Sequence, residues 1–237
     1  GTTAVAVSWS GKATINGGTY SAENGYGVYV YNSGGAIVVE DGTVSGGKAA
    51  VRADKNIESG SPTQSSVTVK GGQTIGNWKT NDKEEAPLIV TGGKHSANVG
   101  DYIPSGAALN WNQTTGEVVA DNTAIEAAVA RIDNVYYNTL FNAIAAAEDG
   151  DTVTLVKDYT ETQALTIPED VDITLDLGSN ELDITGTIAV QDNLNSSNVT
   201  FNTAILNNGG LTIANGDVSS DSVGIINYGE LNIGDTA

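Results

Sequence analysis

Four stretches in the first hundred residues share one order of residue types: alternating apolar positions, then a glycine turn, then a polar residue. They are Ala13-Thr14-Ile15-Asn16-Gly17-Gly18-Thr19, Ile37-Val38-Val39-Glu40-Asp41-Gly42-Thr43, Val67-Thr68-Val69-Lys70-Gly71-Gly72-Gln73 and Leu88-Ile89-Val90-Thr91-Gly92-Gly93-Lys94. With Gly18, Gly42, Gly72 and Gly93 as markers, successive stretches are 24, 30 and 21 residues apart. A strand of three or four residues cannot bury its own apolar face. It can bury it against the equivalent strand one coil away, about 4.8 Å along a solenoid axis. The second half continues the pattern with other spacings, at 152–156, 165–167, 173–177, 182–184, 199–201, 211–213, 225–226 and 231–233. Each of these runs alternates apolar residues with Thr, Asp or Asn and ends at a turn-forming residue. The last, Leu231-Asn232-Ile233-Gly234-Asp235-Thr236, reads as the start of a further coil, so the array is expected to continue beyond this segment.

The stretch from about Gly116 to Gly150 breaks the pattern. Residues 139–148 read as a short amphipathic helix, with Leu140, Phe141 and Ile144 on one face, Thr139 as N-cap and Gly150 in the closing turn. Glu148 and Asp149 then stand at the wrong end for the helix dipole. Two readings fit the preceding residues. Thr123-Ala124-Ile125-Glu126 could be a capping box opening a helix through Ile132, or 129–132 and 135–137 could form a hairpin around Asp133-Asn134.

Arg131-Ile132-Asp133-Asn134-Val135-Tyr136-Tyr137, then Leu140–Ala147, then 149–158 and the strands at 165–168 and 173–178 together resemble a known module. It recurs in large exported proteins of Gram-positive gut bacteria that carry right-handed β-helix repeats. The stretch from Val90 to Ile103 is similar to its closing coil, and 114–118 to its final strand. The resemblance covers residues 88–180 best and implies the hairpin at 129–137. It also implies an extracellular location and an adhesive or architectural role. One departure stands out: Lys94-His95-Ser96 replaces the usual Thr-Phe-Ser.

Composition adds bounds. The chain has 237 residues, 39% of them hydrophobic, enough for folded cores. It has 29 Gly and 4 Pro, without a collagen-like period, as expected for many short strands joined by tight turns. Twenty-nine acidic residues against ten basic ones give a net charge of −19. That field opposes nucleic acid and anionic lipid as partners and attracts at most loosely held Ca²⁺. With no Cys there are no disulfides and no thiolate metal sites, and no apolar run is long enough to span a bilayer. With no Met, Gly1 reads as the start of a mature segment whose leader has been removed.

The chemistry-bearing residues are sparse. Polysaccharide lyases and hydrolases on parallel β-helices need clustered carboxylates, or acids with a basic group that accepts the proton. Here there is no Asp-Asp pair, the only arginines are Arg52 and Arg131, and His95 is the single histidine, read as a surface residue after a Gly-Gly turn. Asp170, Asp172, Asp176, Asp183 and Asp192 read as outward-facing polar positions rather than metal ligands. Trp9, Trp78 and Trp111 read as loop or cap packing. Short Thr-x-Thr runs hint at an ice-binding face, but no regular threonine ladder is visible. One ligand-binding candidate remains. Tyr29 and Tyr31 alternate with Val28 and Val30, so both tyrosines share one strand face, with Tyr26 nearby. They either stack on neighbouring coils or form an exposed patch for glycans.

The expectation is a mainly β protein, a right-handed parallel β-helix (solenoid). Coils over 1–120 and 151–237 are joined by a strand-pair and helix junction at 121–150. The expected function is that of a non-enzymatic, secreted or cell-surface adhesin-like module without cofactor or metal. It would be a monomer able to associate through open solenoid ends, with glycans or surface proteins as partners. The alternative is a carbohydrate-binding or carbohydrate-active (pectate-lyase-like) β-helix.

Overall fold

A computed structural model describes residues 2–8, 11–31, 35–54, 65–81, 88–192 and 199–234, with the side chains of 191, 192 and 199–201 undescribed. Trp9, the Asp192 side chain, Gly1, Asp235 and Thr236 therefore lie outside the described residues. The protein is mainly β, with short strands in mostly parallel sheets and two short helices among the described residues. It divides into two compact units, residues 1–104 with 109–120, and 105–108 with 121–237.

In the first unit, Thr3–Val7, Tyr26–Val30, Ala49–Ala53 and Trp78–Thr80 form a four-stranded parallel sheet. A second sheet stacks the glycine-marked stretches. Ile15 lies opposite Val39, Val39 opposite Val69 and Val69 opposite Val90, the same offsets of 24, 30 and 21 residues that separate the glycines in sequence. Val39, Val69 and Val90 are fully buried and Ile15 nearly so, each side chain contributing about 1.5–3 kcal/mol by leaving water. The marker glycines fall where the chain turns its corner, and all four have positive φ: 88° at Gly18, 110° at Gly42, 72° at Gly72 and 96° at Gly93. A Cβ on Gly72 would also lie 2.4 Å from the Gly42 carbonyl oxygen, so stacked corners admit nothing larger. The parallel order ends at the hairpin Leu109–Asn112/Glu117–Ala120, whose second strand pairs antiparallel with Lys94–His95.

In the second unit both local readings of the 121–137 region are partly realised, because they occupy different residues. A helix spans Asn122–Ala127, but its N-cap is Asp121, whose side chain accepts from the Thr123 and Ala124 amides, and it stops well before Ile132. The hairpin Ala130–Ile132/Val135–Tyr137 follows, with Asp133 at a φ of 50° that Asp tolerates. The second helix is Leu140–Ala146, capped by Thr139 as expected. Its end is earlier than the sequence pattern suggests: Ala147 is already extended. Glu148 and Asp149 therefore do not oppose the dipole from within the helix. The Glu148 amide donates to Asp151, and Asp149 accepts from the Asp172 amide.

Beyond this point the chain visits three sheets in constant order. Thr152–Leu155, Tyr159–Glu161 and Leu165–Ile167 are followed by Asp172–Asp176, Glu181–Ile184 and Val199–Asn207. Gly210–Ala214, Asp217–Ser220 and Val223–Asn227 come next, and Glu230–Gly234 returns to the first sheet. Pairing within each sheet is parallel, as in Val153, Leu175, Ile213 and Ile233 in one column and Tyr159, Leu182 and Val218 in another. The exceptions are Ile188–Asp192, antiparallel to Val199–Asn207, and the hairpin strand Ala130–Ile132, antiparallel to Thr152–Leu155. Leu155, Leu165, Leu175, Leu182 and Ile205 meet in the shared interior.

Candidate functional site

Parallel stacking in the first unit's four-stranded sheet decides which way its tyrosines face. Val28 and Val30 are fully buried, and alternation turns Tyr29 and Tyr31 outward. Tyr26 closes the group: the Tyr26 and Tyr29 ring centroids are 5.0 Å apart and tilted by 53°, and those of Tyr29 and Tyr31 are 5.5 Å apart and tilted by 41°. Tyr31 remains 39% exposed, the outer end of a continuous aromatic shelf.

Arg52 holds the shelf together. It lies opposite Tyr29 on the next strand, and its guanidinium carbon is 4.9 Å from the Tyr26 ring centroid and 5.0 Å from that of Tyr29. Arg52 Nη1 donates to the Tyr26 hydroxyl, Nε donates to Asp54 at 2.9–3.0 Å, and Nη2 lies 2.6 Å from Asp54 Oδ2. Tyr29 donates its hydroxyl to the same carboxylate at 2.6 Å. Burial first, then the hydrogen bond to Asp54, push the Tyr29 hydroxyl up to about 12, so it stays protonated and donating. Its hydrogen bonds to Asp54 likewise hold the Arg52 guanidinium still more firmly in its charged form. Among the described residues, two lysines border the shelf. Lys48 Nζ is 5.8 Å from the Tyr26 centroid, and exposed Lys79 lies opposite Arg52 one strand further along. Sequence spacing singles out the three tyrosines but not Arg52, Asp54, Lys48 or Lys79. These residues are brought in by pairing between strands about 23 and 27 positions apart.

His95 is not the surface residue its sequence context suggests. It is 3% exposed and belongs to a directed chain of hydrogen bonds. The indole N–H of Trp78 donates to Thr74 Oγ1 at 3.0 Å, and the Gly92 carbonyl, which can only accept, lies 3.0 Å from His95 Nε2. Nε2 therefore carries the proton, and Nδ1 accepts from the Thr74 hydroxyl at 2.9 Å. Burial, partly offset by the Gly92 hydrogen bond, holds the ring below its usual proton affinity. The hydroxyl–imidazole pair resembles a nucleophile with its base, but Thr74 is fully buried and the pair is shut off from solvent. Trp78 packs edge-on to His95 and stacks on Tyr102, so it is a strand residue in a packed interior rather than loop packing. Trp111 likewise sits in a strand, partly buried against that interior.

Two of the aspartates singled out in the second unit are engaged locally. Asp176 accepts from the Gly178 amide and the Asn215 side chain, and Asp183 accepts from Ser219. No group of three His, Cys, Asp or Glu residues among the described residues is placed to hold a metal ion. Thr152, Thr174 and Thr212 do stand in register on adjacent strands, a short column hidden in the sequence by unequal offsets of 22 and 38 residues; Asn232 ends it. No helix among the described residues is long and apolar enough to cross a membrane. No protein-family model matches the chain, and no match is found among curated proteins or solved structures, so its functional reading rests on the side chains themselves.

Proposed function

We propose that the chain is a non-enzymatic, right-handed parallel β-helical module of an exported bacterial surface protein, and that it presents the tyrosine shelf to extracellular ligands. The observation that carries the reading is the order in which the chain revisits its sheets, most strands pairing in parallel with a later strand of the same sheet. Parallel strands joined by crossovers are right-handed almost without exception. Such a scaffold needs no catalytic centre to be useful, since it holds a surface rigidly at a distance from its anchor. The resemblance of residues 88–180 to modules of exported proteins points the same way, as does the acidic composition.

A carbohydrate-active enzyme is the competing reading. In its lyase form it would need a basic group poised to take a proton from substrate. Arg52 is instead bound up with Asp54 and two tyrosines, and Arg131 donates to the Asp133 carbonyl. The test is to display the chain on a non-adherent bacterium, measure retention on mucin and on epithelial monolayers, and assay purified protein for release of reducing ends from a polysaccharide panel. Retention that free chain competes away, with no product release, is the expected result. Time-dependent release of reducing ends would overturn the non-enzymatic assignment.

A further inference from the structure

Resting on the reading of the chain as an adhesive module, we propose that the tyrosine shelf with Arg52, Lys48 and Lys79 is a binding site for an acidic polysaccharide, a chain of hexuronic acid residues. Three observations converge on that chemistry. The first is shape. Tyr26, Tyr29 and Tyr31 succeed one another at 5.0 and 5.5 Å, a spacing comparable with the length of a pyranose residue, and the outermost ring is 39% exposed. The flat C–H face of a sugar suits the exposed outer ring, because a tyrosine offers apolar area with a polar tip.

The second is preorganisation. The Tyr29 hydroxyl is held by Asp54, the Tyr26 hydroxyl by Arg52, and the Arg52 guanidinium lies against both rings. Side chains fixed before the ligand arrives lose little rotamer freedom on binding, so more of the contact energy appears as affinity.

The third is charge. The chain carries 29 acidic residues, yet the four strands of this sheet contain no Asp or Glu and two cations, Arg52 and Lys79. Lys48 adds a third positive charge at the Tyr26 end. Among the described residues Asp54 is the carboxylate hydrogen-bonded into the shelf, and its pairing with Arg52 leaves Lys48 and Lys79 to carry the net positive charge there. Cations on adjacent strands recur about every 4.8 Å. The tyrosines follow one another along their strand, while Arg52 and Lys79 step across the sheet from Tyr29 and Lys48 stands at the Tyr26 end. A polymer with a carboxylate on every residue therefore meets cations at the end and the middle of the ring row, whereas a glycan with one terminal acid engages a single cation. Single-stranded nucleic acid also offers flat faces and repeated charge, so it serves as the competing probe.

Calorimetric titration of the whole chain tests the assignment with three probes: oligogalacturonate, its fully methyl-esterified form, and oligothymidylate of similar length. Oligogalacturonate is expected to bind, while the ester, which keeps the sugar faces but lacks charge, binds roughly tenfold more weakly or not at all. Tyr31→Ala, at an exposed position, should cost roughly three- to tenfold in affinity with an unchanged circular dichroism spectrum. Lys48→Ala with Lys79→Ala should cost about fivefold at low salt, a difference that closes as salt is raised. Absence of saturable binding, equal affinity for acid and ester, preference for oligothymidylate, or indifference to Tyr31→Ala would each overturn the proposal. Adherence of displaying cells without uronate binding would sink this assignment and leave the adhesive reading standing. Uronate binding accompanied by chain cleavage would do the reverse.

Discussion

At the scale of single residues, His95 shows how burial changes a side chain's meaning. Its ring closes a hydrogen-bond chain that runs from Trp78 through Thr74 to the Gly92 carbonyl, and every polar atom along it is satisfied only while the imidazole is neutral. Its proton affinity in the folded protein is lowered, first by burial. Above pH 6.5, the ordinary value for histidine, folded and unfolded forms are both neutral and the network contributes fully. As pH falls through 6.5 the unfolded chain gains a proton that the buried ring resists, so stability declines with acidification. We expect the urea midpoint of the first unit to fall between pH 7.5 and 5.5, and His95→Phe to flatten that dependence. An unchanged pH slope in the variant, followed by the near-ultraviolet signal of Trp78, would assign the effect to other groups.

At the scale of elements, the helix Leu140–Ala146 depends on a residue twenty positions away. Glu161 is 1% exposed; one oxygen accepts the Phe141 amide at 2.8 Å and the other the Gln163 amide at 3.1 Å. A buried carboxylate at the positive end of a helix is stabilised by the dipole and by the amides it satisfies. Glu161→Ala leaves both amides without acceptors and should destabilise the second unit by about 3 kcal/mol. Glu161→Gln, which keeps an acceptor but loses the charge, should cost about half as much. Chemical denaturation with hydrogen exchange at Phe141 checks both numbers. Fast exchange at Phe141 in the wild type would refute the capping role. The helix–sheet tie was not legible from local pattern, because Thr139 already supplies an adequate cap and nothing marks Glu161 as buried.

At the scale of the molecule, charge is distributed very unevenly. Residues 1–120 contain eight Lys or Arg and ten Asp or Glu, whereas residues 121–237 contain two and nineteen. The uronate site lies in the nearly neutral unit, and the acidic unit repels its own copies. Glu230–Gly234 pairs only with Gly210–Ala214 among the described strands, and Ile233 is 68% exposed and Tyr228 57%. Unpaired strand edges recruit other strands unless charge keeps them apart. Sedimentation velocity is expected to show weak self-association that rises several-fold as salt screens the field, and Ile233→Lys should suppress it. A sedimentation coefficient independent of concentration and salt would show that this edge does not mediate association.

Much of the strand pattern could be read from residue order. The stretches marked by Gly18, Gly42, Gly72 and Gly93 stack with the very offsets that separate them, because a buried column needs an apolar side chain at each level and a corner needs positive φ. Such local requirements leave local signatures. Tyr159–Glu161, Asp217–Ser220 and Trp78–Thr80 leave no such signature, because these strands are only three or four residues long and partly polar. They are held in place by neighbours on adjacent circuits. The same distinction separates the tyrosines from the rest of their site. Alternation with Val28 and Val30 is enough to put Tyr29 and Tyr31 on one face. Only strand pairing sets Arg52 against them and brings Lys79 alongside, because loops of unequal length remove any fixed spacing between residues that become neighbours.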